Sequence, residues 1–163
     1  MSRFVNEYDM SGEYGKCFIK GGFFIFDKED YDKIKNYKWF LSQGYPTTHE
    51  KKTYKMIRYH RFIMDCPLNK VVDHINHNTL DNRKSNLRIC EKAENNRNVK
   101  ETSQNSSGVR GVSLNTQRNR WNARIIYNGK EYFLGAFKDK GEAIKARKEA
   151  EKRYYGEFAY KEV

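Results

Sequence analysis

Residues 71–98 read VVDHINHNTLDNRKSNLRICEKAENNRN, a stretch that is dense in asparagine. Its first four residues predict a strand that ends in an adjacent carboxylate and imidazole, those of Asp73 and His74. A polar loop follows, then residues 87–90 predict the returning strand and residues 91–97 a short helix. The stretch therefore predicts two strands and a helix, with its polar side chains gathered where the first strand ends.

The side chains in this stretch include candidates for metal binding and for proton transfer. Asp73 and Asn95 both offer hard oxygen ligands, which suit Mg²⁺ or Mn²⁺. His74 alternates with Asp73 along the predicted strand and so points elsewhere, where it can take a proton from water. Asn96 competes with Asn95, because neighbouring helical residues point about 100° apart and only one of the two can face the site. The other asparagines of the loop are expected to act as turn residues, namely Asn76, Asn78 and Asn82.

At these residues the sequence resembles the HNH endonuclease family. The resemblance rests on the Asp73-His74 pair, on Asn86 twelve residues after His74, on the run Asn86-Leu87-Arg88 and on Asn95. It implies a ββα-metal fold around one divalent ion, with His74 as general base and with Asp73 and Asn95 as metal ligands. It also implies that Asn86 organises the loop by hydrogen bonds.

The first and last positions of the pattern are Asp73 and Asn95, where other family members carry histidine. Such a variant is common in phage homing endonucleases, and the resemblance therefore implies an active enzyme of that type that hydrolyses phosphodiester bonds in DNA.

Three further residues near the pattern have open roles. His60 lies in a His-Arg-Phe run that also recurs near such sites, and packing, a phosphate contact and chemistry all remain possible for it. Arg88 either contacts a phosphate or lies on the surface. His77 is expected to be an exposed loop residue, and the remote alternative is a second base.

The region that precedes the stretch, residues 15–70, predicts short strands and short helices. Gly21-Gly22 predicts a hairpin turn between two apolar strands, and Asp27 is expected to cap a short helix. Two more strands are expected at residues 39–41 and 54–57, with Gly44-Tyr45-Pro46 between them, followed by a helix over residues 60–64.

Residues 108–160 show a clear strand periodicity. Three strands are predicted, with Asn128-Gly129 as the turn between the second and third. Asp139 is expected to cap a helix whose alanines share one face, which lets the helix lie close to a sheet. The basic residues of that helix, namely Lys145, Arg147 and Lys148, are expected on a solvated face.

This second region resembles the apetala/ethylene-response-factor DNA-binding domain. The resemblance rests on runs such as Gly108-Val109-Arg110-Gly111-Val112, on Trp121-Asn122-Ala123-Arg124-Ile125 and on Leu134-Gly135-Ala136-Phe137. It implies three antiparallel strands in the major groove of DNA with the helix behind the sheet. Glu131 departs from the plant pattern, where a basic residue is more usual.

The residues of this region that are expected to contact DNA are mostly basic. They are Arg110, Arg118, Arg120, Trp121, Arg124 and Lys130. For Trp121 there is an alternative, which is that its ring anchors the core.

Composition supports a nucleic-acid partner. The chain has 163 residues and a formal net charge of +11, and an evenly basic protein favours a polyanion. The three cysteines form no Cys-x-x-Cys pair, so a zinc knuckle or a disulfide framework is not expected. No apolar run approaches a membrane span, and the expected location is the cytoplasm of the host cell of a phage or mobile element.

The sequence as a whole predicts an α+β protein of two modules. Residues 1–98 are expected to form an HNH nuclease domain with the ββα-metal motif at about 70–98, residues 99–107 a linker, and residues 108–163 the DNA-binding domain. The predicted function is a homing-type DNA endonuclease that needs one divalent ion, Mg²⁺ or Mn²⁺. The partner is double-stranded DNA, and the oligomeric state is left open. The alternative is a DNA-binding regulator without catalysis.

Overall fold

The computed structural model describes residues 6–98 and 107–159. Packing divides the chain into two compact units, and the boundary between them along the chain lies between Asn95 and Asn96. Both units mix α and β structure, with several small antiparallel sheets and short helices, which confirms the mixed α and β class. The predicted linker lies outside the described residues except for Ser107, whose hydroxyl donates to the backbone oxygens of Val109 and Val112 in the second unit.

The described strands of the first unit pair in three antiparallel sheets. They are β1 (Tyr8–Asp9), β2 (Gly15–Ile19) and β3 (Gly22–Phe26) in one sheet, β4 (Phe40–Ser42), β5 (Tyr45–His49) and β6 (Met56–Arg58) in the second, and β7 (Val71–His74) and β8 (Leu87–Cys90) in the third. The hairpin predicted across Gly21-Gly22 and the returning strand β8 are both confirmed.

Strand β5 was not expected, because the sequence around Pro46 predicts a turn. The turn lies one residue earlier, at Gln43 and Gly44, whose φ angles are +50° and +79°. Pro46 then pairs with Leu41 in a central strand, a position where proline is unusual because it has no N–H to donate.

The helices of the first unit are short. They are α1 (Tyr31–Ile34), α2 (Tyr59–Ile63) and α3 (Lys92–Asn95), with single 3₁₀ turns at Lys28–Asp30 and Lys84–Asn86. Asp27 precedes the first 3₁₀ turn, but its side chain makes no capping hydrogen bond there. Its Oδ2 instead accepts a bond of 2.7 Å from the backbone N–H of Lys84. Asp27 therefore holds the N-cap position, as predicted, but its side chain does not cap the turn.

Aromatic side chains from separate elements form the core of the first unit. Phe24 and Phe26 alternate inward along β3 and meet Trp39 and Tyr59, all of them buried. The Tyr59 ring centroid lies 4.8 Å from that of Phe24 and 4.9 Å from that of Trp39. Buried aromatic pairs of this kind supply both apolar area and specific geometry.

The polar loop, residues 75–86, joins β7 to β8, and its middle part is bonded to Ile25 of β3. The backbone N–H of Ile25 donates to the oxygen of Leu80, and the N–H of Asn82 donates to the oxygen of Ile25, each at 2.9 Å. These two bonds satisfy main-chain groups of the loop and hold it against β3.

The second unit is a three-stranded antiparallel sheet backed by one long helix. Its elements are β9 (Val112–Asn115), β10 (Arg120–Tyr127), β11 (Lys130–Phe137) and α4 (Lys140–Tyr155), followed by a 3₁₀ turn at Gly156–Phe158. β10 lies in the centre, and α4 packs against all three strands.

Local signals predicted much of this unit. Asn128 and Gly129 form the β10–β11 turn with φ angles of +50° and +75°. Asp139 Oδ1 accepts a bond of 3.0 Å from the N–H of Glu142, which confirms the predicted helix cap. The predicted strand over residues 109–114 begins later, at Val112.

Arg147 corrects one expectation. It was expected on a solvated helix face, yet it is 2% exposed. Its Nε donates to the oxygen of Arg110 at 2.7 Å, and its Nη2 pairs with Glu151 at 3.0 Å. Gly111 makes room for it, because a Cβ there would lie 2.8 Å from Arg147 Nε. No described helix is long and apolar enough to cross a bilayer.

Adjacent residues of β3 provide a test of the aromatic core. Phe24 is fully buried whereas Phe23 is 44% exposed. We expect Phe24→Ala to lower the free energy of unfolding by about 3–5 kcal/mol, because it removes the central ring of the cluster. Phe23→Ala is the control, with an expected loss of about 1 kcal/mol or less. Urea denaturation followed by tryptophan fluorescence measures both, and equal losses would contradict this account of the core.

Candidate active site

Asp73 lies in β7 opposite Arg88 of β8 and forms an ion pair with it. Arg88 Nε and Nη2 donate to the same carboxylate oxygen, Oδ2, at 2.9 and 2.6 Å. The side chains are only 7% and 15% exposed. The carboxylate is therefore buried with its charge compensated. Arg88 is mostly buried rather than on the surface, and its alternative role, a phosphate contact, stays a prediction.

His74 ends β7 and is buried on the other face of the ribbon. Its Nε2 lies 3.3 Å from Oδ1 of Asn82, which the polar loop brings back over the strand end. Asn82 Nδ2 donates to the oxygen of Thr79 at 3.1 Å, which orients the amide so that Oδ1 faces the imidazole. Since Oδ1 can only accept, Nε2 carries the hydrogen and the lone pair of the neutral ring lies on Nδ1.

A second buried histidine contacts the first. The His60 ring from α2 meets the His74 ring edge to face, with centroids 5.0 Å apart. Tyr45 of β5 lies against both, at 5.3 Å from His60 and 6.2 Å from His74. The Arg58 guanidinium covers the Tyr45 ring at 4.3 Å. Packing, one of the three roles left open for His60, is thus observed.

Burial sets the protonation of both histidines. It lowers the pKa of His60 to about 3, with the neighbouring His74 as a further cause. It also lowers the pKa of His74, although the hydrogen bond to Asn82 and the charge of Asp73 oppose the shift. Both imidazoles are therefore neutral at pH 7, which is the form in which a histidine can accept a proton.

Asn86 closes the polar loop from inside. Its Oδ1 accepts from the N–H of Asn76 at 3.0 Å, and its Nδ2 donates to Asn76 Oδ1 at 2.9 Å and to the oxygen of Asp81 at 2.8 Å. Its own backbone oxygen accepts from the N–H of Ile75 at 2.9 Å. One buried amide thus satisfies polar groups on both sides of the loop.

Asn95 ends α3, and this helix packs against β7, the strand of Asp73. Asn95 is half-buried, whereas Asn96 is exposed. In the described parts of the chain, no three or more His, Cys, Asp or Glu side chains are grouped so as to hold a metal ion. A carboxylate with an amide oxygen is a donor set of another kind, one that suits a hard cation.

This region of the chain is similar in sequence to known proteins. The family model described as HNH endonuclease matches residues 65–97. A protein of Acanthamoeba polyphaga mimivirus, named an uncharacterized HNH endonuclease, is 31% identical over 147 aligned positions, and the alignment covers 86% of this chain and 74% of the mimivirus protein. The chain belongs to the HNH endonuclease family.

A phage protein is also similar to this HNH endonuclease. Protein 3.8 of Escherichia phage T7 is 31% identical over 87 aligned positions, and the alignment covers 50% of this chain and 72% of the phage protein. No solved structure gives a significant match. The prediction that the chain is an enzyme of the HNH endonuclease class is confirmed.

The residues expected to contact DNA lie at several places in the second unit of the HNH endonuclease. Arg120 and Arg124 alternate with the buried Ala123 and Ile125, so they point away from α4. Trp121 points toward the helix and packs in the core cluster, as the alternative for this residue proposed. Exposed turns and their edges carry the rest, namely Arg110, Arg118 and Lys130.

Sequence reasoning missed several residues that shape the site. Asn82 was expected to be only a turn residue, but it is fully buried and bonds His74. Arg88 gave no signal of its partner, because its link to Asp73 depends on the strand register. Asp27 lies 57 positions before Lys84 in the sequence, and nothing local indicates that contact.

Asn86 and Asn78 offer a matched test of how the polar loop is held. We expect Asn86→Ala to lower the free energy of unfolding by about 2–4 kcal/mol, because it leaves several buried polar groups without partners. Asn78 is exposed and accepts one bond from the N–H of Leu80, so Asn78→Ala should cost about 1 kcal/mol or less. Chemical denaturation of the two variants measures the difference. A loss of about 1 kcal/mol or less for Asn86→Ala would argue against the role of Asn86 in holding the polar loop.

Proposed function

We propose that this HNH endonuclease is a metal-dependent, homing-type enzyme that hydrolyses phosphodiester bonds in double-stranded DNA, and that its second unit holds the DNA. The observation that carries the proposal is the adjacent buried pair Asp73 and His74 at the end of β7, inside the region that matches the family. Membership of the family supports nuclease chemistry. The metal, the DNA partner and the homing role are our proposals.

His74 is the general base in this mechanism. Burial keeps its ring neutral, and Asn82 holds the hydrogen on Nε2, so Nδ1 has the lone pair that takes a proton from the attacking water. The contacts with His60 and Tyr45 hold the ring in one orientation. A positioned base of this kind contributes typically about 10²–10⁴-fold in rate.

Asp73 and Asn95 would hold the divalent ion. Their oxygens match the preference of Mg²⁺ and Mn²⁺, and the buried Asp73 carboxylate is already balanced by a cation, the Arg88 guanidinium. When bound, the metal supplies positive charge that stabilises the transition state and the departing 3′ oxygen.

The scissile phosphate would lie across the end of the β7–β8 ribbon. Asp73 and His74 point to opposite faces of β7, but their Cα atoms are only about 3.8 Å apart. A phosphate at the strand end is therefore within reach of both side chains. Asn86 supports this arrangement indirectly, by closing the polar loop that carries Asn82.

The second unit would bind the DNA through the sheet face that α4 leaves uncovered. Arg120 and Arg124 project from β10 on that face, and arginine reads guanine and phosphate well. The three-stranded sheet backed by a helix is the arrangement that the resemblance to the apetala/ethylene-response-factor domain implies. Exposed Glu131 lies 3.7 Å from Arg124, so this arginine is partly engaged within the sheet.

Removal of the proposed base gives the main test. We expect His74→Ala to reduce Mg²⁺-dependent nicking of supercoiled plasmid by at least about 100-fold, because it removes the lone pair that takes the proton from water. DNA affinity, measured by gel shift in EDTA, should stay unchanged. Nicking is followed on agarose gels over a time course.

His49→Ala is the matched control for this test, because His49 is an exposed histidine of the same unit that stacks on Phe40. It should cut like the wild type. Full activity of the His74→Ala variant would remove His74 as the base. A wild-type protein that binds DNA but does not cut it with any divalent ion would favour the DNA-binding regulator instead.

Salt dependence tests the proposed DNA contacts. If about 6 to 10 phosphates are neutralised, DNA affinity should fall about 10³- to 10⁵-fold between about 50 and 200 mM salt. Arg120→Ala should lower the slope of log affinity against log salt by about 1. Lys145→Ala, on an exposed part of α4, should leave it unchanged. Fluorescence anisotropy measures both slopes, and a flat response in the wild type would refute the basic DNA-binding surface.

A further inference from the structure

The ion pair between Asp73 and Arg88 is built into the β7–β8 ribbon. Residues directly opposite each other in an antiparallel pair project from the same face, so the register itself places the guanidinium against the carboxylate. Nε and Nη2 of Arg88 both donate to one oxygen, Oδ2, at 2.9 and 2.6 Å. This geometry directs a full positive charge at an atom that a metal ion would also require.

Burial makes that compensation necessary. The Asp73 side chain is 7% exposed, and a buried carboxylate without a cation is strongly destabilising. The guanidinium and a metal ion therefore meet the same electrostatic need of Asp73. They are both cations, so simultaneous tight binding of both to Oδ2 is opposed by their mutual repulsion.

We propose that Arg88 is the exchangeable counter-ion of Asp73: it neutralises this carboxylate in the metal-free protein and yields it when the divalent ion binds. The inference rests on the metal role of Asp73 that is proposed above. It gives the metal-free site a defined shape, and it makes displacement of Arg88 part of metal binding. Arg88 thereby weakens the apparent metal affinity while it stabilises the empty protein.

Direct metal titration tests the exchange without any cleavage assay. The whole chain is titrated with Mn²⁺ in the absence of DNA, and free Mn²⁺ is measured by electron paramagnetic resonance. Arg88→Gln keeps an amide donor near Asp73 but removes the competing charge. We expect its Kd for Mn²⁺ to be about tenfold lower than that of the wild type. Its thermal midpoint in EDTA should be lower, and Mn²⁺ should raise that midpoint by more.

Arg83→Gln is the matched control. Arg83 pairs with buried Asp81 at 2.6 Å in the same unit, much as Arg88 pairs with Asp73, but Asp81 has no proposed metal role. The Arg83→Gln substitution should leave the Kd for Mn²⁺ unchanged. Asp73→Asn should weaken Mn²⁺ binding severely, whichever residue stands at position 88.

The outcomes separate the inference from the proposed function. A Kd in Arg88→Gln that equals or exceeds the wild-type value overturns the exchange and leaves the metal site in place. Equal Mn²⁺ binding by the wild type and Asp73→Asn overturns the metal role of Asp73, and the exchange with it.

The wild-type protein gives a second readout that needs no variant to fold. The Nε–H of Arg88 donates to Asp73, so its NMR signal should exchange slowly with water in EDTA. Saturation with Mg²⁺ should shift this signal and speed its exchange. A signal that saturating Mg²⁺ leaves unmoved would overturn the proposal even if Arg88→Gln cannot be purified.

Discussion

The backbone pairing between Ile25 and the polar loop is the constraint on which the site of the first unit depends. Two main-chain bonds of 2.9 Å join Ile25 to Leu80 and Asn82, so part of the loop behaves as an added strand beside β3. Without these bonds, ordering the long polar loop would cost conformational entropy, and few contacts would offset that cost. With them, Asn82 is held where its Oδ1 accepts from His74 Nε2. The main-chain bonds of the loop thus help to decide which nitrogen of His74 carries the hydrogen.

The aromatic core is linked to the same site because a core residue, Tyr59, directly precedes a site residue, His60. Tyr59 packs among Phe24 and Trp39, and the next residue of α2 is His60, whose ring touches His74. A shift of the core rings would therefore move a neighbour of the proposed base. Dense packing transmits such shifts rather than absorbing them, so the core contributes to the geometry of the site as well as to stability.

The sequence predicted local features, such as turns and helix caps, far better than contacts between residues that are distant in the chain. Asn128-Gly129 and Asp139 carry their structural meaning in one or two residues, and both were confirmed. The buried state of Arg147 depends on space left by Gly111, in a turn far along the chain, and no helical pattern predicts it. The partner of Arg88 likewise depends on a register that is fixed by the whole ribbon and its loop. Residue types identify the chemistry of a site, whereas long-range contacts decide which groups are charged, neutral or oriented.

The β7–β8 ribbon separates two opposite electrostatic environments by one residue. On one face the Asp73 carboxylate forms an ion pair with an adjacent guanidinium, and on the other face burial lowers the pKa of His74, whose ring contacts a second imidazole. The hydrolysis that we propose would use both groups, a carboxylate that holds the metal ion and an uncharged base. A helix would place neighbouring side chains about 100° apart on a common surface, where the field of Arg88 would act more directly on the base. Because strand alternation directs them to opposite faces, each side chain can be tuned by its own surroundings while both remain beside the same strand end.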